Sequence, residues 1–278
     1  MKRRNAMKLA AGAIIGGGAG LITLTQAFKP EPLPTKPAQK LEPGENATSW
    51  QYAQLDPTES GQIAYDQYSV GSCMYATFYG VASQIAAKLG EPYASFPFDM
   101  MKYGHGGVGD FGTLCGALNG GAALMGLFVS DKKTRDNLIN DLFQWYENSQ
   151  LPVFKPQKAV MDYTPASSVS HSTLCHASTT NWGKASGFTI DSDERKERCR
   201  RLSGEVAAKV TTSLNAFFNH NYVTEYQNNE NAGACLTCHG KEGKLNNISG
   251  KMDCNSCHTQ SVAHKVFGDV HYKYMKAK

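Results

Sequence analysis

Two short motifs near the C-terminus combine paired cysteines with a histidine. They read Cys235-Leu-Thr-Cys238-His239 and Cys254-Asn-Ser-Cys257-His258. The C-x-x-C-H spacing is typical of covalent haem attachment: both cysteines form thioether bonds, and the histidine is the proximal ligand of the iron. The motifs therefore predict two haem c groups, with Cys235, Cys238, Cys254 and Cys257 as attachment sites and His239 and His258 as proximal ligands.

Two other interpretations of these cysteines stay open. Cys238 and Cys254 have 15 residues between them, so the four cysteines also fit a zinc-ribbon spacing. They could equally pair as disulfides in an oxidising compartment. The histidine that follows each pair favours haem, because the chain has only 8 histidines among 278 residues.

The segment around the two motifs, residues 229–278, contains few large apolar side chains. A segment of about fifty residues with so little apolar surface cannot build its own core. We therefore expect it to be a loop-rich dihaem segment that folds only with its haems.

Histidines are also the first candidates for the distal haem ligands. His264 and His271 lie seven residues apart in a helical-looking stretch, which places them on one face. His220 lies at the end of the helix before the haem segment, and His105 lies in a glycine-rich stretch.

Four further cysteines, Cys73, Cys115, Cys175 and Cys199, lie in the part of the chain that reads as helical. Apolar periodicity predicts helices over 61–89, 112–128, 133–148 and 193–218. The irregular cysteine spacing suits an iron–sulfur site assembled by tertiary folding. Two disulfides, four buried thiols or a redox dithiol remain alternatives.

The N-terminus has the layout of an export signal. Arg3, Arg4 and Lys8 precede an uncharged apolar run, a pattern that resembles twin-arginine signals. We expect residues 1–28 to direct the chain to the periplasm, or to remain as an uncleaved anchor. Residues 29–58 are proline-rich and predict an extended linker or arm.

Composition excludes some functions. The net charge is +4 and no long Lys/Arg block occurs, which argues against nucleic-acid binding. The basic run over residues 195–201 is interrupted by Glu197 and is interpreted as a solvated helix face. Alternating strand patterns are scarce, so the fold class is predicted to be mainly α: a helical domain over 59–228 with the loop-rich dihaem segment behind it.

The order of the helical cysteines resembles a known family. Residues 106–120 contain Cys115-Gly116-Ala117 followed by Gly120, with Cys73 before and Cys175 and Cys199 after. This is similar to the family named for its C-GCAxxG-C-C pattern, although that name has Gly-Cys-Ala where this chain has Cys115-Gly116-Ala117. Such a module joined to two haem motifs is the plan of the split-Soret cytochromes c.

That resemblance implies a homodimer with two closely packed, bis-histidine haems in each subunit, and it allows a ligand from the partner subunit. It also implies an iron–sulfur centre on the four helical cysteines, with a 2Fe–2S cluster as the candidate type.

The function expected from these patterns is electron transfer to other exported or membrane redox proteins. A multi-cofactor haem reductase with an open haem coordination position and a redox sensor are the alternatives. No catalytic residue is predicted, because the sequence shows no Ser/His/Asp or paired-carboxylate constellation.

Overall fold

The computed structural model describes residues 50–226 and 230–254. Its helices are α1 (Pro57–Leu89), α2 (Gly116–Phe128), α3 (Lys132–Asn148), α4 (Cys175–Ser186), α5 (Asp193–Phe218) and α6 (Glu230–His239), with a 3₁₀ helix at Phe98–Tyr103. Two short strands, β1 (Gln150–Leu151) and β2 (Ser168–Val169), pair antiparallel. The prediction of a mainly α fold is confirmed.

Helix α1 is folded back on itself. Asp56 caps its start by accepting a hydrogen bond from the Thr58 amide, but the backbone leaves the helical conformation at Gly71 and Ser72. Beyond this break, Gln84 Nε2 donates to Ser60 Oγ at 2.8 Å. In an unbroken helix those residues would be about 36 Å apart, so the limbs 57–70 and 73–89 pack side by side.

Helix α5 packs along both limbs of α1. The two backbones approach closely where Gly61 faces Gly204, since a Cβ on Gly204 would lie 2.7 Å from the Gly61 carbonyl oxygen. Farther along, Thr77 Oγ1 donates to the Ser203 carbonyl at 3.3 Å. A fully buried row on α5, made of Val206, Val210 and Leu214, supplies the apolar side of this contact.

Helix α2 packs against the second limb of α1 through glycines. A Cβ on Gly116 would lie 2.0 Å from the Gly104 carbonyl oxygen and 2.9 Å from Cys73 Cβ. A Cβ on Gly120 would lie 2.7 Å from the Met74 carbonyl oxygen. These two glycines therefore bring the start of α2 against the start of the second limb.

The predicted export signal lies outside the described residues, as does most of the predicted linker. The described end of that linker is fastened to α5, because Asn215 Oδ1 accepts from Tyr52 Oη at 2.8 Å and from the Leu55 amide at 3.2 Å. Within residues 50–226 and 230–254, no helix combines the length and apolarity needed to cross a bilayer.

A matched pair of substitutions in α2 tests the glycine contact. Gly116→Ala should lower the free energy of unfolding by about 1–3 kcal/mol, because its methyl group meets backbone atoms that cannot move aside easily. Gly126 is exposed and nothing lies within 4 Å of its Cβ position. Gly126→Ala should therefore stabilise the helix by up to about 1 kcal/mol.

Thermal unfolding followed by far-ultraviolet circular dichroism measures both variants. Equal effects of the two substitutions would contradict the close α1–α2 contact at Gly116.

Candidate functional site

Three of the four helical cysteines stand where a helix begins. Cys73 is the first residue after the break in α1, Cys115 is the N-cap of α2, and Cys175 is the first residue of α4. The first amides of a helix have no partner within the helix and carry partial positive charge. Such positions favour the thiolate form of cysteine.

A short backbone bridge holds two of these cysteines side by side. Leu114 and Leu174 pair as an antiparallel bridge. The Cys115 amide donates to the Thr173 carbonyl at 2.9 Å, and the Cys175 amide donates to the Thr113 carbonyl at 2.7 Å. Helices α2 and α4 therefore start from the same point.

Helix α5 contributes the fourth cysteine. Cys73 and Cys199 are hydrogen-bonded, and Cys73 also interacts electrostatically with Cys115 and Cys175. Helix packing thus gathers Cys73, Cys115, Cys175 and Cys199 into one group, which we call the thiol cluster. Cys175 is half-buried and the other three are buried.

The thiols differ in how readily they ionise. The hydrogen bond from Cys73 and the nearby Arg198 and Arg195 hold the pKa of Cys199 well below its usual value, against the effect of burial. The bond to Cys199 holds the pKa of Cys73 well above its usual value. Burial raises the pKa of Cys115, and raises that of Cys175 to about 12. Cys199 is therefore the first thiolate of the cluster.

The thiol cluster fits an iron centre in its chemistry. Thiolates are soft ligands that bind iron, zinc and copper(I), so four of them are a suitable donor set for iron. Metal binding must displace the protons of the three thiols whose pKa is raised. In the described part of the chain, no three His, Cys, Asp or Glu side chains converge tightly enough to hold a single metal ion. The cluster is a shared thiol environment rather than a preformed one-metal tetrahedron.

The basic run on α5 is not the solvated face that the sequence predicts. Glu197, Arg198 and Arg201 are exposed by only 3%, 2% and 5%. Glu197 accepts from Tyr65 Oη at 2.8 Å and from Arg201 Nε at 2.9 Å. Most of the run is withdrawn from solvent because α5 turns this side toward the cluster and the first limb of α1, whereas Lys196 is exposed.

The first C-x-x-C-H motif lies in α6. Its Cys235 is half-buried, its Cys238 is exposed, and His239 Nδ1 lies 2.9 Å from Asn247 Oδ1. When the second nitrogen of an imidazole binds a metal, a contact of this kind at Nδ1 sets the tautomer and the orientation of the ring. The amides of Asn247 and Ile248 both donate to the His239 carbonyl at 3.0 Å. These contacts hold His239 against residues 247 and 248, and its role as a proximal haem ligand stays a prediction.

Of the second motif, only Cys254 is described, and it lies in hydrogen-bond contact with Cys235 of the first. Burial, together with this neighbour, raises the pKa of the Cys254 thiol. Cys257 and His258 lie outside the described residues.

The four candidate distal histidines do not lie together in the described structure: two are outside the described residues, and two have different surroundings. His264 and His271 lie outside the described residues. His105 Nδ1 lies 3.3 Å from Asp110 Oδ1 within the glycine-rich loop. His220 lines a cavity together with Tyr222 and Thr224. None of these contacts assigns a haem-ligand role, which stays a prediction.

Helix α3 contacts both parts of the site. Near its middle, Asp141 binds Tyr222 and Thr224 of the segment that leads to α6, and Asn140 accepts from Lys251 Nζ at 3.0 Å. Toward its end, the buried Tyr146 hydroxyl is in hydrogen-bond contact with Cys115. One helix therefore links the haem-motif segment to the thiol cluster.

Comparisons with known proteins agree with this geometry. Residues 73–213 match the family described as "Putative redox-active protein (C_GCAxxG_C_C)". A split-Soret cytochrome c from Desulfovibrio desulfuricans is 35% identical over 224 residues, which cover 78% of this chain and 80% of the relative. A solved structure described as "A novel iron centre in the split-Soret cytochrome c" from the same organism superposes with a TM-score of 0.72. It is 34% identical and covers 79% of this chain and 95% of its own.

The comparison with the solved structure corrects the predicted cofactors. The sequence predicts two haem c groups and an iron–sulfur cluster, with 2Fe–2S as the candidate type. This prediction is wrong on the comparison, because the solved relative is described as having a novel iron centre. Motif spacing reports which residues can bind a group. It does not report which group tertiary packing allows those residues to hold.

Glu147, next to Tyr146 on α3, provides a pH test of the junction between the two parts. Burial raises its pKa to about 7, against an ordinary value of 4.5, and Asp253 adds to the effect. Among the described residues, its buried Oε1 atom has no hydrogen-bond partner. The folded state therefore favours the neutral carboxyl, and its contribution to stability is present below about pH 4.5 and lost as pH rises through about 7.

Glu147→Gln should remove this loss and raise the free energy of unfolding at pH 8 by about 1–2 kcal/mol. We expect roughly half of the effect of the full pKa shift, because the carboxyl is partly exposed. At pH 4 the variant and the wild-type chain should be equally stable. Denaturant unfolding at both pH values measures the difference, with Glu242→Gln, at an exposed carboxylate, as the matched control. A gain that is equal at pH 4 and pH 8 would contradict the burial of Glu147.

Proposed function

The chain belongs to the C_GCAxxG_C_C family of redox-active proteins, and from this premise we propose that it transfers electrons through an iron centre held by its thiol cluster. Its similarity to a split-Soret cytochrome c makes it a redox electron-transfer protein. The observation that carries the finer proposal is the convergence of four thiols from α1, α2, α4 and α5 in one largely buried site.

An iron centre in this position would supply one-electron oxidation and reduction, and the chain's own residues control its surroundings. The packing of α1, α2 and α5 buries Cys73, Cys115 and Cys199 and excludes water from them. A dry, rigid site needs little rearrangement when its charge changes. Cys175 is the most accessible member, so electrons enter or leave on its side of the cluster.

The first C-x-x-C-H motif is the second part of the proposal. Cys235 and Cys238 would attach a c-type haem through thioether bonds, and His239, in contact with Asn247, would ligate its iron. Helix α3 connects this segment to the thiol cluster, which supports electron exchange between them. The roles predicted for Cys254, Cys257 and His258 remain those of the sequence motif and form no part of this proposal.

The setting of the protein is also part of the proposal. The paired arginines and apolar run at the N-terminus support export to the periplasm. Another exported or membrane redox protein is the expected electron partner, and assembly as a homodimer is expected from the family plan. Analytical ultracentrifugation of the purified chain, with its cofactors bound, measures the oligomeric state.

Removal of one thiol tests the iron centre. Cys115→Ala should reduce thiol-bound iron to less than about one tenth of the wild-type content, because the centre loses a ligand in a site that metal binding must hold together. Iron analysis, acid-labile sulfide analysis and electron paramagnetic resonance of the full chain measure the centre. Wild-type chain that carries no thiol-bound iron when purified without oxygen would contradict the proposal.

Removal of a thioether cysteine tests the haem separately. Cys238→Ala should abolish doubly attached haem at residues 235–239, because one of the two bonds to the porphyrin cannot form. Mass spectrometry of proteolytic peptides measures the attachment. Each cysteine variant is the control for the other: Cys238→Ala should keep the thiol-bound iron, and Cys115→Ala should keep the haem. An unmodified peptide 230–244 from wild-type chain would disprove the assignment.

A further inference from the structure

Arg198 is a buried cation that faces the thiol cluster. Its side chain is 2% exposed. Nη1 lies 3.8 Å from Cys199 Sγ, and Nη2 donates to Ser178 Oγ at 2.8 Å. Within residues 50–226 and 230–254, its Nε atom has no hydrogen-bond partner, and no carboxylate forms a salt bridge with it.

The next buried arginine on α5 is built differently. Arg201 Nε donates to Glu197 Oε1 at 2.9 Å, and Nη2 donates to the Tyr163 carbonyl at 2.9 Å. Its charge is neutralised by a carboxylate of its own helix. The same helix therefore carries one buried arginine whose charge is balanced and one whose charge is directed at sulfur.

Polar neighbours hold the Arg198 guanidinium in place without neutralising it. Ser178 Oγ accepts both from Arg198 and from the Tyr146 hydroxyl, each at 2.8 Å. Tyr146 is in turn in contact with Cys115. These contacts form a chain that runs from Cys115 through Tyr146, Ser178 and Arg198 to Cys199. They hold a positive charge between two members of the thiol cluster.

Burial of an unpaired cation is unfavourable unless an anion compensates it. Anionic sulfur is the compensation available here, and it becomes more negative when an electron is added to a thiolate-bound centre. We propose that Arg198 is the fixed counter-charge of the iron centre and raises its reduction potential by favouring the reduced form. The inference rests on the proposed iron centre and names the residue that tunes it.

The test compares reduction potentials of full-length, iron-loaded chains by redox titration monitored by electron paramagnetic resonance. Arg198→Gln should shift the electron-transfer equilibrium of the thiol-bound iron at least tenfold toward the oxidised form. For a one-electron couple this is a potential lower by 59 mV. Arg198→Lys keeps the charge, so its equilibrium should stay within twofold of wild type.

Arg201→Gln is the matched control, because it removes a buried arginine from the same helix one turn nearer the C-terminus. It should lower the unfolding temperature and leave the equilibrium within twofold of wild type. A tenfold shift in Arg201→Gln would show that any loss of buried charge on α5 changes the potential, and would overturn the specific role of Arg198. Iron present at wild-type content with a shift of less than twofold in Arg198→Gln would also overturn it.

A second charge-free variant protects the test against misfolding. Arg198→Met places an apolar side chain of similar length in the buried site and leaves no polar group there. If both neutral variants lose the iron while Arg198→Lys keeps it, the charge is required to hold the centre, which supports the inference. If Arg198→Lys loses it as well, shape rather than charge is decisive and the inference fails. Wild-type chain without thiol-bound iron overturns the proposed function itself, and a change in potential is then not measured at all.

Discussion

The proposed iron centre requires four thiols from four separate segments to lose their protons in one largely buried volume, and each thiolate that forms makes the next less favourable. Backbone groups as well as side chains of the fold favour the negative charge of the thiolates. Cys73, Cys115 and Cys175 each stand at the start of a helix, where the helix dipole places partial positive charge. Ser72 adopts a conformation almost restricted to glycine, at a cost of about 1–3 kcal/mol, so that a new helix can begin at Cys73.

Apolar periodicity predicts the four longest helices to within a few residues, because those helices bury long apolar stripes. It does not predict the fold-back at Gly71 and Ser72, because the two limbs are brought together by contacts between residues far apart in the sequence, such as Gln84 with Ser60. Apolar periodicity also does not predict helix α4. Its buried side chains are only Ser178 and Trp182, too few to produce a stripe.

The two parts of the candidate site differ in the same way, because one is a local sequence pattern and the other is formed by tertiary contacts. The C-x-x-C-H motif is a local pattern, and its histidine is oriented by Asn247 only eight residues away. The thiol cluster is assembled by tertiary packing, so the sequence reveals its members only through their resemblance to a family. Arg198 shows the limit most clearly: a basic run interrupted by an acid is typical of a solvated helix face, yet the packing of α5 buries it.

The swapped order Cys115-Gly116 follows from the same packing. Gly104 and Cys73 occupy the space that a side chain at position 116 would need, so any larger residue there would push α2 away from α1. A cysteine at position 115 instead lies at the bridge to Leu174, beside Cys175. The glycine after the cysteine is therefore what allows Cys115 to reach the other thiols, and the departure from the family's name keeps the site together.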